Sequence, residues 1–175
     1  MRLKNKVSII TGAASGIGKE SVLKFLDEGS KVVAADLNAG ALTNLKNEIH
    51  HSDEVFETFE CDVSSEEAIK GLVGFAIKKF NKLDVIFNNA GIGGAFGPIT
   101  EINLIDWQRT TSILLDSVFL GIKYAAKEMQ RNSSGGSIIN TSSIAGMAAG
   151  SGPQAYSAAK AAVINLTRTT AHELG

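Results

Sequence analysis

Tyr156 and Lys160 stand four residues apart in the stretch Pro153-Gln154-Ala155-Tyr156-Ser157-Ala158-Ala159-Lys160. On a helix that spacing places them on one face, one turn apart. A phenol ionises near pH ~10 in a model peptide, and an ammonium beside it favours the phenolate, which makes the pair a candidate general acid/base. The bland alternative is a surface Tyr–Lys contact. Ser143 lies thirteen residues before Tyr156, across a loop of small residues, 145–152. Such a loop can fold back and set a hydroxyl beside the phenol. Ser142 and Ser143 follow an apolar stretch that reads as a strand, and open α/β sheets bind ligands at the carboxyl ends of their strands.

A second group of residues points to a nucleotide. An apolar run ends in Thr11-Gly12-Ala13-Ala14-Ser15-Gly16-Ile17-Gly18 and passes straight into a helical pattern. Glycines there permit positive φ and close approach of backbone to ligand. The amides at the following helix start form an anion site suited to a pyrophosphate. The spacing is G-x-x-x-G-x-G, and a tight structural turn is the alternative reading. Asp36 stands eighteen residues after Gly18, at the end of the second apolar run. A carboxylate there accepts hydrogen bonds from ribose hydroxyls and repels a 2′-phosphate. Alone it is as well explained as a turn or helix-capping residue; loop and carboxylate together favour NAD over NADP.

These residues need a frame that brings strand ends together. The pattern predicts strands at 7–11, 31–35, 55–60, 83–87 and 137–141. It predicts helices from the glycine loop to Glu28, and at 39–50, 64–80, 104–130 and 153–174. Ser64 and Ser65 are placed to cap the third helix, with Glu66 and Glu67 in its first turn, where the helix dipole favours them. Strands that read as continuous apolar runs and alternate with helices imply a parallel sheet covered on both faces, an α/β fold. No repeat or linker divides the chain, so 1–175 reads as a single domain.

The bulk composition narrows the partners. The 175 residues carry 17 basic and 18 acidic side chains, a net charge of −1, and 44% are apolar. That balance gives no reason to expect nucleic acid or an anionic membrane. No apolar stretch approaches the ~20 residues of a membrane span. The start, Met1 to Gly12, reads as a first strand rather than a signal peptide. With one cysteine, Cys61, no disulfide can form within the chain. A cytoplasmic location is the expectation, with Cys61 a buried small residue. His50, His51 and His172 fall in no cluster with metal-ligand spacing, so no metal is expected. Asp84 reads as a turn or cap residue at the start of a strand.

The loop from Thr11 to Gly18, Asp36, Asp62-Val63, Asn88-Asn89-Ala90-Gly91, Ser143 and Tyr156-x-x-x-Lys160 occur in order along the whole chain. In this the sequence resembles the short-chain dehydrogenases/reductases. The resemblance implies a Rossmann-like doubly wound sheet of order 3-2-1-4-5 in the part present, with NAD as cofactor. It implies that Gly12, Ser15, Gly16, Ile17, Gly18 and Asp36 bind the cofactor. Asp62 and Val63 would contact adenine, and Asn89, Ala90 and Gly91 would line the cofactor beyond strand four. Tyr156 would be the catalytic acid/base and would contact the cofactor together with Lys160, which would hold the nicotinamide ribose, and Ser143 would orient the substrate oxygen. The reaction would be reversible hydride transfer between the nicotinamide and a small-molecule secondary alcohol or ketone, in a homo-oligomer whose subunits meet through the fourth-to-fifth crossover helix and the last helix.

Two departures from that pattern stand out. The family usually carries an asparagine seven residues after a tryptophan in the crossover helix, where it helps hold a proton-relaying water. Seven after Trp107 is Leu114, which cannot hydrogen-bond one. A reduced activity or rerouted proton path is expected. Family members also continue beyond the helix that ends at Leu174, so the domain is expected to be incomplete at its C-terminus, leaving strand five an open edge. A non-catalytic NAD-binding or regulatory protein, or an inactive fragment, are the competing readings.

Overall fold

The computed structural model describes residues 1–132 and 135–175. Among the described residues one parallel sheet contains β1 (Val7–Thr11), β2 (Lys31–Asp36), β3 (Phe56–Glu60), β4 (Val85–Asn88) and β5 (Ser137–Asn140), in the order β3-β2-β1-β4-β5. All four neighbouring pairs are parallel. This is the expected Rossmann-like doubly wound arrangement. Strand ends moved by a residue or two: β2 runs on to Asp36, β3 begins at Phe56, β4 at Val85, and β5 stops at Asn140.

Two layers of helix cover the sheet. On one face α1 (Gly16–Asp27) and α2 (Ala39–Glu48) bury Val22, Leu26, Leu42 and Leu45 against Ile10, Val32, Ala34 and Phe56. On the other, α3 (Glu66–Phe80) and α5 (Ser117–Met129) bury Ile69, Leu72, Val73, Leu120 and Ala125 against Ile9, Val33 and Ile86. The alternation of Ile9 and Ile10 to opposite faces is the two-residue period of a strand. β1 is buried at every position, because helices cover both of its sides. Finally α6 (Gln154–Leu174) packs Val163 on Val118 and Ile122 of α5.

Local chemistry fixes the helix ends. The Ser65 hydroxyl accepts Ala68 N at the start of α3, and Asn38 and Asn103 do the same for Ala41 N and Asp106 N at α2 and α4 (Leu104–Thr111). At the far end of α3, Lys78 and Lys79 lie in the last turn and Asn81 turns left-handed at φ 69°, closing the helix.

The single helix expected over 104–130 is interrupted. Between α4 and α5, residues Ser112–Asp116 form a π-helical turn. Four hydroxyls around it compete with amides for main-chain carbonyls: Thr110 donates to Asp106 O, Thr111 to Gln108 O, Ser112 to Arg109 O and Ser117 to Ile113 O. Such back-bonding loosens the regular i→i−4 ladder, and π turns are often found where a helix borders a site. The apolar periodicity of this stretch carried no sign of it.

Asp84 precedes β4 and does more than end a turn. It is 2% exposed. Its carboxylate accepts Val7 N at 2.9 Å and pairs with Lys6 at 3.3 Å and Lys82 at 2.9 Å. Burial pushes its pKa up, but Lys82, the Val7 amide and Lys6 outweigh burial and hold it below the usual value. The start of β1 is thereby clamped to the start of β4. Asp84→Asn should cost about 2 kcal/mol in urea denaturation at neutral pH. The folded carboxyl is the stronger acid, so its contribution is complete above the ordinary aspartate pKa and fades as pH falls through the folded value. The gap between wild type and variant should therefore narrow in acid; equal stability at neutral pH would refute the clamp.

Candidate active site

Because the sheet is parallel, the loops that follow the strands gather at one edge. There they enclose a cavity of about 780 Å³. Gly12, Ser15, Gly16 and Ile17 line it after β1, and Asp36 at the end of β2. Asp62 and Val63 line it after β3, Asn89, Ala90 and Gly91 after β4, and Ser143, Tyr156 and Lys160 beyond β5. The structure thus brings together nearly all of the residues singled out from the sequence. Gly18 is the exception. It does not line the cavity; it packs under the loop, where a Cβ would run into the Gly12 carbonyl and sit 2.9 Å from Asn89 Nδ2.

At the start of α1 the N-cap Ser15 is extended and makes no side-chain cap bond. The first-turn amides therefore keep their donors for a ligand, at the positive end of a twelve-residue helix. Asp36 plays two parts. Its carboxylate accepts Ala14 N and Asn38 N, each at 3.0 Å, so it both ties down the glycine loop and lines the cavity. Asn38, not Asp36, caps α2. Asp62 accepts the Ser64 amide at 2.9 Å and its hydroxyl at 2.6 Å. Cys61 also borders the cavity; burial, with Asp62 beside it, pushes its thiol up to about 12, so it is protonated and unreactive at neutral pH.

The loops after β1 and β4 are stitched together by Thr11. Its hydroxyl accepts Asn89 N at 3.0 Å and Ala90 N at 3.1 Å, and donates to Phe87 O at 3.4 Å. Asn89 returns the contact through Nδ2 to Thr11 O at 3.1 Å, while its Oδ1 accepts Thr141 Oγ1 at 3.4 Å. The Asn89 side chain is therefore a strut between strands, with its polar atoms engaged inside the protein.

Across the cavity, the loop after β5 folds back as its composition suggested. Gly146 lies so close to α6 that a Cβ would be 2.6 Å from the Lys160 carbonyl carbon, and Ser142 Oγ donates to Lys160 O at 2.8 Å. Ser143 caps a short 3-10 turn, its Oγ accepting Ala145 N at 3.2 Å, which leaves its own proton free to donate. Lys160 is only 4% exposed. Its Nζ donates to Thr141 O at 2.7 Å and lies 5.7 Å from the centre of the Tyr156 ring. Burial lowers its pKa below the ordinary lysine value. Leu114, in the π turn, is 1% exposed and packs on Gly91. Thr141, whose carbonyl receives the lysine, was missed in the sequence; its position just before Ser142-Ser143 was the available signal. Ile92, Phe96 and Ile113 also line the cavity and were not singled out.

The sequence profile described as short chain dehydrogenase matches residues 6–175. The chain belongs to the short-chain dehydrogenase family. It is 40% identical over 169 residues to 3beta-hydroxysteroid dehydrogenase 2 of Eggerthella lenta, covering 97% of this chain and 65% of that protein. Against the borneol dehydrogenase, mitochondrial, of Lavandula x intermedia, identity is 42% over 176 residues, covering 99% of this chain and 65% of the other. Among solved structures, NAD+-bound xylitol dehydrogenase superposes with a TM-score of 0.92 at 33% identity, covering 99% of this chain and 66% of that one. A short-chain dehydrogenase/reductase from Burkholderia phymatum in complex with NAD also gives 0.92, at 32% identity, over 99% and 62%. The chain thus spans about two thirds of the length of these relatives, 65% of the first. Among the described residues no helix is long and apolar enough to cross a membrane.

The Thr11 strut gives a direct test of what holds the cavity open. Thr11→Val keeps the shape but leaves the Asn89 and Ala90 amides without their acceptor, and should cost about 2 kcal/mol in urea denaturation. Thr11→Ser should restore most of it. A valine variant as stable as wild type would show that the strut is dispensable.

Proposed function

We propose that residues 1–175 form one dinucleotide-binding unit of an NAD-dependent oxidoreductase. The unit transfers a hydride between the nicotinamide and a secondary alcohol or ketone, with Tyr156 as acid/base. The observation that carries this reading is the juxtaposition of Ser143, Tyr156 and buried Lys160 in the same cavity as the uncapped start of α1 and the Asp36 carboxylate.

The residues present fit the dinucleotide. The free first-turn amides of α1 suit a pyrophosphate. Asp36 spends part of its accepting capacity on Ala14 and Asn38, and a carboxylate has about four acceptor sites, so lone pairs remain for ribose hydroxyls. Its negative charge disfavours a 2′-phosphate. Lys160, with one protein acceptor on three N–H groups, has donors left for hydroxyls of the second ribose. When bound, the nicotinamide accepts or returns the hydride.

The chain's own residues handle the proton. In alcohol oxidation, Tyr156 Oη takes the hydroxyl proton of the substrate as its C–H hydrogen leaves as hydride. In reduction, Tyr156 gives that proton back to the carbonyl oxygen. Ser143 Oγ donates a hydrogen bond to the same oxygen and fixes its position. The Lys160 ammonium, 5.7 Å from the centre of the Tyr156 ring, supplies positive charge beside the group that takes and returns the proton.

Energy transfer from Trp107, the single tryptophan, reports cofactor binding. NADH should saturate the site about tenfold or more tightly than NADPH, and Asp36→Asn should narrow that gap. Tyr156→Phe should lower turnover by about a thousandfold with NADH binding unchanged; undiminished turnover would sink the assignment. The pH profile offers a separate check. Lys160 must stay charged to assist Tyr156, and burial makes it lose its proton below the ordinary lysine pKa. Oxidation rates should turn down on the alkaline side before that value is reached. A profile that climbs unbroken through it would contradict the role given to Lys160.

A further inference from the structure

We infer that Asn140 is a positioning residue for Lys160: through Thr167 it sets where α6 lies along β5, and so where the lysine ammonium meets the second ribose of the cofactor. This rests on the role given to Lys160 above.

Asn140 ends β5 opposite Asn88, the last residue of β4, in the parallel register. Side chains two apart on a strand share a face. Asn140 therefore lies on the same side as Ile138, which packs with Val118 and Ile122 of α5 and Val163 of α6. A row of polar groups crosses this face. Asn88 Nδ2 donates to Asn140 Oδ1 at 2.8 Å, Asn140 Nδ2 donates to Thr167 Oγ1 at 3.0 Å, and Thr167 Oγ1 donates to Val163 O at 2.7 Å. Every donor points the same way, from β4 towards α6, so each bond strengthens the next. The first asparagine is itself held fast. It is 5% exposed, and its carboxamide lies against α5 at Gly121, where a Cβ would run into Oδ1.

Thr167 follows Lys160 by seven residues, two helical turns, so the two side chains share a face of α6. Val163, between them, is fully buried. The helix thus meets the end of β5 at two polar points. At the first, Lys160 Nζ donates to Thr141 O at 2.7 Å and Lys160 O accepts Ser142 Oγ at 2.8 Å. At the second, Thr167 accepts Asn140. Thr141 directly follows Asn140, and its amide donates to Asn88 O at 3.0 Å. The carbonyl that receives the lysine and the carboxamide that holds the helix therefore belong to one short segment, anchored twice to Asn88.

Packing of Val163 on Val118 and Ile122 resists separation of α6 from α5, but apolar contact is non-directional and does little against a slide along the helix axis. A hydrogen bond weakens steeply with distance and angle, so the Asn140–Thr167 contact fixes that coordinate. Without it, the contacts at Lys160 become a pivot. The ammonium then stands out of line with a ribose whose place is set from the other end of the dinucleotide, by Asp36 and the start of α1. Asn140 and Thr167 are half-buried and border a second cavity of about 490 Å³. Water can take up the groups that a substitution leaves there, so the fold survives while the alignment is lost.

Calorimetric titration with NADH and, in parallel, ADP separates positioning from stability. ADP carries the adenosine ribose and the two phosphates and lacks the second ribose that Lys160 would hold. Thr167→Val and Asn140→Leu should each weaken NADH about fivefold, while ADP stays within about twofold of wild type. Thr167→Ser should bring NADH back to the wild-type affinity. Lys160→Met should itself weaken NADH and spare ADP. In that background Thr167→Val should add nothing, because residues that act through one contact are not additive. Thermal melts report folding, and if Asn140→Leu does not fold, Thr167→Val and its serine counterpart decide. NADH affinity within about twofold of wild type in Thr167→Val, equal weakening of NADH and ADP, or the full extra loss in the Lys160→Met background overturns the inference. If Lys160→Met leaves NADH binding untouched, the role given to Lys160 fails and this inference with it. If the wild-type chain binds neither NADH nor ADP, the cofactor reading fails too.

Discussion

The cavity depends on one divergence in the sheet and on the hydroxyl that bridges it. The connection leaving β1 runs to α1 on one face, and the connection leaving β4 leads through α4 to α5 on the other. Two chains that part in opposite directions leave a crevice between them, the place where doubly wound sheets bind ligands. A crevice also leaves backbone amides without sheet partners. Thr11 meets two of these, Asn89 N and Ala90 N, from a position that is itself buried. Asn89 closes the circuit through Thr11 O and Thr141. The walls contributed by β1, β4 and the segment after β5 are therefore set by one polar network, and the glycine loop inherits its position from it.

A second constraint is electrostatic. Burying an ammonium is costly unless it is paired or hydrogen-bonded, and Lys160 receives one main-chain carbonyl. Small side chains make the burial geometrically possible: Ala155, Ala159 and Val163 let α6 lie close to its neighbours, and Gly146 brings the returning loop onto the helix backbone at Lys160. The lowered pKa of the lysine is the consequence of that packing. The fold accepts this cost where the Lys160 ammonium comes within 5.7 Å of the centre of the Tyr156 ring.

These two constraints differ in how they show in the chain. A parallel sheet covered on both faces followed from apolar runs alternating with helical patterns, because burial on both faces leaves a plain signature in β1, β2 and β4; the strand order came only with the family resemblance. Asp36, Tyr156 and Lys160 were legible because their spacing is local or tied to strand ends. The strut was not. That Asn89 spends its side chain on Thr11 and Thr141 depends on contacts across 78 and 52 residues, which no periodicity encodes. Asp84 is a similar case: its partners Lys6 and Val7 are remote in sequence, so a buried ion-pair clamp looked like a turn residue. The π turn escaped because its apolar spacing satisfies an ordinary helix, and only the run of hydroxyls around it distinguishes the two.

Leu114 stands where the π turn, the cavity wall and the buried lysine meet. The π turn delivers residue 114 to the cavity wall, and packing on Gly91 keeps its side chain buried. A leucine has no donor or acceptor, so this part of the wall does nothing to satisfy Lys160. Of the three N–H groups on that ammonium, Thr141 O receives one, which leaves capacity for acceptors brought by a ligand in the cavity that Lys160 lines. Water can serve, but a ligand presenting hydroxyl oxygens serves better, since it also displaces water from the apolar surface of Leu114 and Ile113. Binding such a ligand must then favour the protonated lysine, because acceptors near an ammonium stabilise its charged form. Linkage makes this reciprocal: the charged lysine binds the ligand more tightly than the neutral one does. The effect is to make the charge on Lys160 depend more heavily on what the cavity holds than on the wall at residue 114.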